Sequence, residues 1–216
     1  MKTKKSLLII SLAVIVTFIN GCCPPLQNLG TVKRAVANYY ESGQYDSELT
    51  EILNDVKPEF DKMDVGSMSA VIFDIDETSL SNYKITKELD FGYVKPLWDE
   101  WVLKEEAEPI IQVRDFYNYL IDRGFKIIFI TGRKDYQYQP TYNNLLKTGY
   151  TKFDTLITRS RGEYSITAVD YKSGQRAALT SKGYDIKGNF GDQWSDLEGE
   201  YCGIKVKLPN YQYGID

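Results

Sequence analysis

The sequence predicts an α/β fold: a doubly wound, Rossmann-like parallel sheet with helices on both faces and a small cap segment. Three observations carry that expectation. From Ser69 onward, apolar strand-like runs alternate with helix-like stretches closed by glycine, the order that builds a parallel sheet. Two acidic motifs, Ala70-Val-Ile-Phe-Asp74-Ile-Asp76-Glu77-Thr78 and Gly188-Asn-Phe-Gly191-Asp192-Gln-Trp-Ser-Asp196, each sit where such a run ends. A stretch from Ser81 to Glu108 breaks the alternation directly after the first motif and is rich in aromatics. The 216 residues are enough for one domain with a full-sized core.

Taken in order, Pro24-Pro25 and Gly30 break regular structure, so residues 22–30 read as a tether. Two amphipathic helices follow, near 31–42 and 47–63, split by Ser42-Gly43 and suited to covering the sheet. Ser69–Asp74 is a buried strand. The segment of about 81–108 leaves the sheet at the first acidic motif and is expected to lie over it as a cap. Pro109–Arg123 reads as a helix with proline in its first turn and Gly124 at its end. Lys126–Thr131 is continuously apolar after its first residue, as expected of a strand covered on both faces. Thr141–Lys147 is a helix closed by Gly149, Thr155–Thr158 a short strand, and Ser173–Lys182 a helix closed by Gly183. Tyr184–Phe190 and Gly203–Leu208 complete the sheet.

The acidic motifs converge on one place if the sheet is parallel, because both lie at the carboxyl edge, where open α/β sheets hold their ligands. Four aspartates there, in a chain with no histidine, suit a hard divalent cation bound through oxygen and carboxylate chemistry on a phosphate ester. Asp74 and Asp76 stand two apart, so at a strand end they share a face. One can act as a covalent nucleophile and the other as an acid toward the leaving oxygen; an acidic turn capping a helix is the alternative. Thr131-Gly132-Arg133 can cradle a phosphate through a hydroxyl and backbone N–H groups, or be a plain strand-to-helix turn. Lys172, just before a helix, can neutralise nucleophile and phosphate as a point charge, or be a solvated surface residue. Asp192 is the candidate direct Mg²⁺ ligand. Asp196 is assigned to support it from outside the coordination sphere, or to cap a helix. Among the cap aromatics, Tyr83, Trp98 and Trp101 are candidates to stack on an aryl or nucleobase leaving group; packing of the cap onto the sheet is the alternative.

The first 21 residues are set apart from the fold. Lys2, Lys4 and Lys5 precede a 13-residue apolar run, Leu7–Ile19, too short to span a bilayer comfortably. It ends in Ile19-Asn20-Gly21-Cys22, which looks like a bacterial lipobox, with Cys22 as the acylated residue; an uncleaved anchor is the alternative. The resemblance implies a lipid-anchored protein of the bacterial cell envelope, attached to a bilayer through Cys22. Cleavage would remove three of the 26 basic residues and none of the 30 acidic ones, leaving a net charge of −7. So acidic a chain is a poor binder of nucleic-acid polymer. Cys23 and Cys202 either pair or remain two thiols, and no zinc spacing is present.

Together the motifs resemble the haloacid dehalogenase (HAD) superfamily. More narrowly the chain is similar to the acid phosphatases of subfamily IIIB, a group that includes bacterial lipoprotein acid phosphatases and plant vegetative storage proteins. The residues that carry this are Ile72-Phe-Asp74-Ile-Asp76-Glu77-Thr78 with Leu80-Ser81-Asn82, Phe129-Ile-Thr131-Gly132-Arg133, Tyr171-Lys172-Ser173 and Gly191-Asp192-Gln-Trp-Ser-Asp196-Leu197. They span roughly Tyr39 to the C-terminus. The resemblance implies Asp74 as nucleophile and metal ligand, and Asp76 as general acid/base lending its backbone carbonyl to the metal. It implies Thr131, Gly132 and Lys172 on the phosphate, Asp192 completing a Mg²⁺ site and Asp196 supporting it. Superfamily members without an acid at the second position tend to be ATPases, so Asp76 favours a hydrolase. Tyr138 stands where many relatives carry an arginine, which puts a local salt bridge in doubt. The expected activity is Mg²⁺-dependent hydrolysis of small phosphomonoesters, nucleoside monophosphates among them, through an aspartyl-phosphate. The alternatives are a non-catalytic ligand-binding or storage-type lipoprotein and a phosphotransferase. Phosphatases that use a phosphohistidine are excluded.

Overall fold

The computed structural model describes residues 26–215. The expected signal peptide (1–21), the lipid-attachment residue Cys22, and Cys23 lie outside the described residues. Helix α1 (Leu29–Glu41) starts at Asn28, whose side chain accepts from the Gly30 N–H. Gly43, at φ +84°, turns the chain into α2 (Gln44–Asp61). Leu49, Leu53, Val56 and Phe60 line one buried stripe of α2 at helical spacing.

Five strands form the main sheet: β1 (Ser69–Phe73), β4 (Lys126–Lys134), β5 (Thr155–Arg159), β6 (Asp185–Gly191) and β7 (Ile204–Lys207). They are parallel throughout, in the order β5-β4-β1-β6-β7. The crossovers carry α5 (Ile111–Asp122), α6 (Tyr138–Lys147) and α7 (Ala168–Ser181), with the short α8 (Trp194–Leu197) between β6 and β7. Alternation along the strands divides the core in two. Val71, Phe73, Ile127 and Phe129 join Phe60 of α2 and Phe116 and Leu120 of α5. Ala70, Ile72, Ile128 and Ile130 join Tyr171 and Leu179 of α7. Gly188 lets α2 settle onto β6, since a Cβ there would lie 2.6 Å from the Phe60 ring.

The chain winds from β1 outward through β4 to β5, then returns to the other side of β1 for β6 and β7. That reversal makes β1 the switch point, and the crevice lies beyond its carboxyl end. Above it, β2 (Leu80–Ser81) and β3 (Glu108–Pro109) pair antiparallel as a neck, and the segment between them holds α3 (Tyr83–Glu88) and α4 (Lys95–Lys104).

Three local expectations are corrected. Pro109 pairs with Leu80 in the neck, and the following helix begins only at Ile111. β4 continues through Thr131-Gly132-Arg133 to Lys134, with its register against β5 shifting between Ile130 and Lys134. Lys172 stands inside α7, which begins five residues earlier than expected because the Thr167 side chain caps the Asp170 N–H.

Candidate active site

Three strand ends build the site. The Asp74 N–H donates to Phe190 O (2.9 Å), so the nucleophile candidate leaves β1 locked to β6. The chain then turns tightly: the N–H groups of Ser79 and Leu80 both donate to Ile75 O, and Ser79 Oγ donates to Asp74 O. Glu77 takes a left-handed conformation, φ +57°, to complete this turn. β6 delivers Asp192 opposite. Gly191 is obligatory there, since a Cβ would fall 2.3 Å from the Asp196 Cβ.

Lys172 Nζ reaches from α7 and donates at 2.5 Å to Asp74 Oδ1 and at 2.5 Å to Asp196 Oδ1. All three side chains are buried. Burial works against the lysine charge, but the charges of Asp196 and Asp74 outweigh it and hold its pKa above the ordinary value. Burial pushes the Asp74 carboxyl well up, against the pull of Lys172. Asp192 rises to about 7, through burial and then the charges of Asp196 and Glu77. Asp74, Asp192 and Asp196 each offer a carboxylate oxygen within 4.8 Å of the others. Three buried carboxylates face one ammonium, and this uncompensated negative charge, presented through oxygen alone, fits a hard divalent cation. The coordination set expected from sequence gave Asp76 a place through its backbone carbonyl and left Asp196 outside. In the structure the Asp196 carboxylate lies within the side-chain cluster beside Asp74 and Asp192.

Asp76 is held by a separate network. Arg133 donates through Nε to Oδ2 (3.2 Å) and through Nη2 to Oδ1 (2.7 Å), the fork-like pairing a guanidinium makes with a carboxylate. Asn82 Nδ2 donates at 2.9 Å. The indole of Trp101 donates to Asn82 Oδ1 at 2.9 Å and so fixes which way that amide points. The Arg133–Asp76 pair is a partly buried salt bridge apart from the position of Tyr138, which is exposed. Thr131 is fully buried and its Oγ1 accepts from the Arg133 N–H, while Gly132 lines the cavity.

The cavity above these groups has a volume of about 530 Å³. Phe91, Tyr93 and Trp98 of the cap form one wall, and Gln212, Tyr213 and Ile215 of the C-terminal segment form another. Of the three aromatics proposed to meet the leaving group, only Trp98 lines it. Tyr83 faces outward, stacked on Tyr40 at 4.8 Å with its hydroxyl donating to Glu41. Trp101 is buried at 5% exposure beneath the cap, as the packing alternative anticipates.

Sequence reasoning missed several residues. Arg176 is buried and donates to the carbonyls of Asp196 (2.8 Å), Glu198 and Glu200, shaping the loop that follows the second acidic motif. Glu77 accepts from the Asn82 N–H and from the Tyr213 hydroxyl. Burial and then the Asp76 charge push Glu77 up to about 7. Only the Glu77 position inside the first motif could have drawn attention to it.

The raised carboxyls have a consequence for stability. A carboxyl whose folded-state pKa exceeds its unfolded value near 4 binds its proton better in the native chain, so stability falls as pH rises through the interval between roughly 4 and 7. The metal-free protein is therefore expected to melt at a higher temperature at pH 5 than at pH 7.5. Glu77→Gln should flatten that dependence, and an unchanged slope in the variant would show that Glu77 does not contribute to it.

Comparison with known proteins follows the geometry. The stem 28 kDa glycoprotein of Glycine max is 36% identical over 84% of this chain and 74% of its own length. Acid phosphatase 1 of Solanum lycopersicum is 32% identical over 83% of this chain and 73% of its own. A class C acid phosphatase from Bacillus anthracis, solved with tungstate bound, superposes with a TM-score of 0.71 at 24% identity, covering 86% of each chain, and shares the fold. The expectation of a lipid-anchored protein in a bacterial cell envelope is corrected by these relatives: the sequence matches above 30% identity are plant proteins. Among the described residues no helix is long and apolar enough to cross a membrane. Residues 27–216 match the HAD superfamily, subfamily IIIB (acid phosphatase), and the chain belongs to that family of phosphomonoester hydrolases.

Proposed function

We propose that the chain hydrolyses small phosphomonoesters with Mg²⁺ through a phosphoenzyme on Asp74. The observation that supports this reading best is the placement of the Asp74 carboxylate. It lies at the cavity floor, 2.5 Å from the Lys172 ammonium and grouped with Asp192 and Asp196.

In this reading Lys172 holds Asp74 with one oxygen aimed at the phosphorus. Asp74 attacks, a bond forms between its carboxylate oxygen and phosphorus, and the bond from phosphorus to the ester oxygen breaks. Asp76, oriented by Arg133 and Asn82, gives its proton to the departing oxygen. It then takes a proton from water as that water attacks the phosphorus of the acyl phosphate, releasing phosphate and restoring Asp74. Gly132, Thr131 and Lys172 bind the phosphate oxygens. Asp74, Asp192 and the backbone carbonyl of Asp76 are the residues that would hold Mg²⁺, with Asp196 beside them. The cation supplies charge neutralisation on the phosphoryl oxygens. Trp98, Tyr93 and Phe91 give the leaving group an apolar wall.

Hydrolysis of p-nitrophenyl phosphate tests the proposal. Chelator should lower turnover by about 10²-fold or more, as expected where a cation contributes several kcal/mol of charge stabilisation, and added Mg²⁺ should restore it. Full activity in chelator would remove the metal from the mechanism. No turnover with Mg²⁺ by a folded chain would favour the storage-type alternative.

A further inference from the structure

The residues after β7 return to the site. Leu208 N–H donates to Gly191 O (2.9 Å), which places the next residues beside Asp192. Asn210 Nδ2 donates to Asp192 Oδ2 at 2.7 Å. The other end of the same amide is also engaged, since Asn210 Oδ1 accepts from the Gln212 N–H at 2.8 Å. The local turn therefore dictates that the donor end faces the carboxylate. Gln193 Nε2 donates to the same oxygen at 2.6 Å, and Gln193 Oε1 accepts from the Ile215 N–H at 3.0 Å. Tyr213 donates to Glu77, and Tyr211 anchors the segment outside the site, its N–H on Tyr40 (3.2 Å) and its ring edge-on to Tyr39.

Two amide donors thus converge on Asp192 Oδ2. Among the described residues its Oδ1 accepts only from the Thr78 hydroxyl, at 3.2 Å. A carboxylate with one oxygen fixed by amides presents the other in a defined direction. Hydrogen-bond partners of this kind set the affinity of a metal ligand without touching the metal.

We propose that the C-terminal strap of residues 210–215 is a working part of the metal site, with Asn210 the positioning residue that aims Asp192 at the cation. The inference rests on the metal-dependent reading of the site given above. It extends that site to a segment beyond the acidic motifs, and makes cation affinity depend on the Asn210 amide that the strap delivers to Asp192.

Mg²⁺ binding to the full chain, followed by calorimetry, tests it with three variants. Asn210→Ser keeps an oxygen for the Gln212 N–H but carries its donor on a shorter side chain that falls short of Asp192. Asn210→Ala removes both. Each should weaken Mg²⁺ about 10–100-fold, with the melting temperature in chelator near that of the parent and kcat recovered at saturating Mg²⁺. Tyr211→Ala loosens the strap's outer anchor without touching a carboxylate, and should bind Mg²⁺ within a few-fold of the parent. Unchanged affinity in Asn210→Ser and Asn210→Ala overturns the proposal. So does an equal loss in Tyr211→Ala, which would assign the effect to general docking. A parent chain that binds no Mg²⁺ overturns the metal reading itself, and the strap's role with it.

Discussion

Asp74→Asn is expected to abolish turnover of p-nitrophenyl phosphate, by at least about 10⁴-fold, while leaving a folded protein. The size follows from what is removed: an amide cannot form the acyl phosphate, and residues acting as one catalytic unit lose nearly everything when one member goes. The fold is expected to survive because the side chains are nearly isosteric and Lys172 keeps its second partner, Asp196, at 2.5 Å. In the metal-free chain the substitution also removes one of three buried carboxylates, so its melting temperature at pH 7.5 should equal or exceed the parent's. Quenched single-turnover reactions with a labelled phosphate ester give the complementary readout: acid-stable label on the parent and none on the variant. Retained turnover would move the nucleophile elsewhere.

Lys172→Met is expected to fail in both respects. The ammonium bridges two carboxylates in a buried site. Removing one partner of a buried ion pair leaves uncompensated charge and costs about 3–5 kcal/mol. At about 2–4 °C per kcal/mol for a domain of this size, the melting temperature should fall by roughly 6–20 °C. Because burial pushes the Asp74 carboxyl up, the loss should be larger at pH 7.5 than at pH 5, where a proton on Asp74 can replace the ammonium. Lys172→Met with Asp196→Asn should recover much of the stability and none of the activity. If the single variant melts with the parent at both pH values, the pair is not stabilising. Thermal unfolding in chelator makes the measurement.

The contrast between these residues shows what was legible from sequence. Asp74, Asp76 and Asp192 stand at or just past the ends of apolar runs whose shortness and alternation with helix-like stretches assign them to buried strands, and strand ends in a parallel sheet share an edge. The order of the sheet was not needed for that step. Lys172 was recognisable as a residue type at a spacing, but the helix expected from sequence began at Ser173 and left Lys172 just outside it, whereas α7 begins at Ala168. The Thr167-Ala-Val-Asp170 cap was the signal that would have set the start correctly. Tyr83, Trp98 and Trp101 could not be told apart from sequence because an aromatic in a cap has the same local signature whichever way it faces. Only the packing against Tyr40 and Asn82 distinguishes Tyr83 and Trp101 from Trp98. Arg133, Arg176 and Asn210 act through partners that the fold supplies from distant positions, and no local pattern encodes those pairings.

The central position of β1 has a kinetic consequence. Neither of its sheet neighbours follows it directly: β4 begins at Lys126 and β6 at Asp185. Both pairings close long loops before any strand contact rewards the lost chain entropy, and topologies dominated by such distant contacts fold slowly. Because Asp74 and Asp192 meet only when β1 has captured β6, recovery of cation binding during refolding should lag behind helix formation. A pause with β1 exposed would present a continuous apolar ribbon, Ala70-Val-Ile-Phe73, with both edges unpaired. That interval is when self-association is most favoured, and the yield of active protein on refolding should fall steeply with chain concentration.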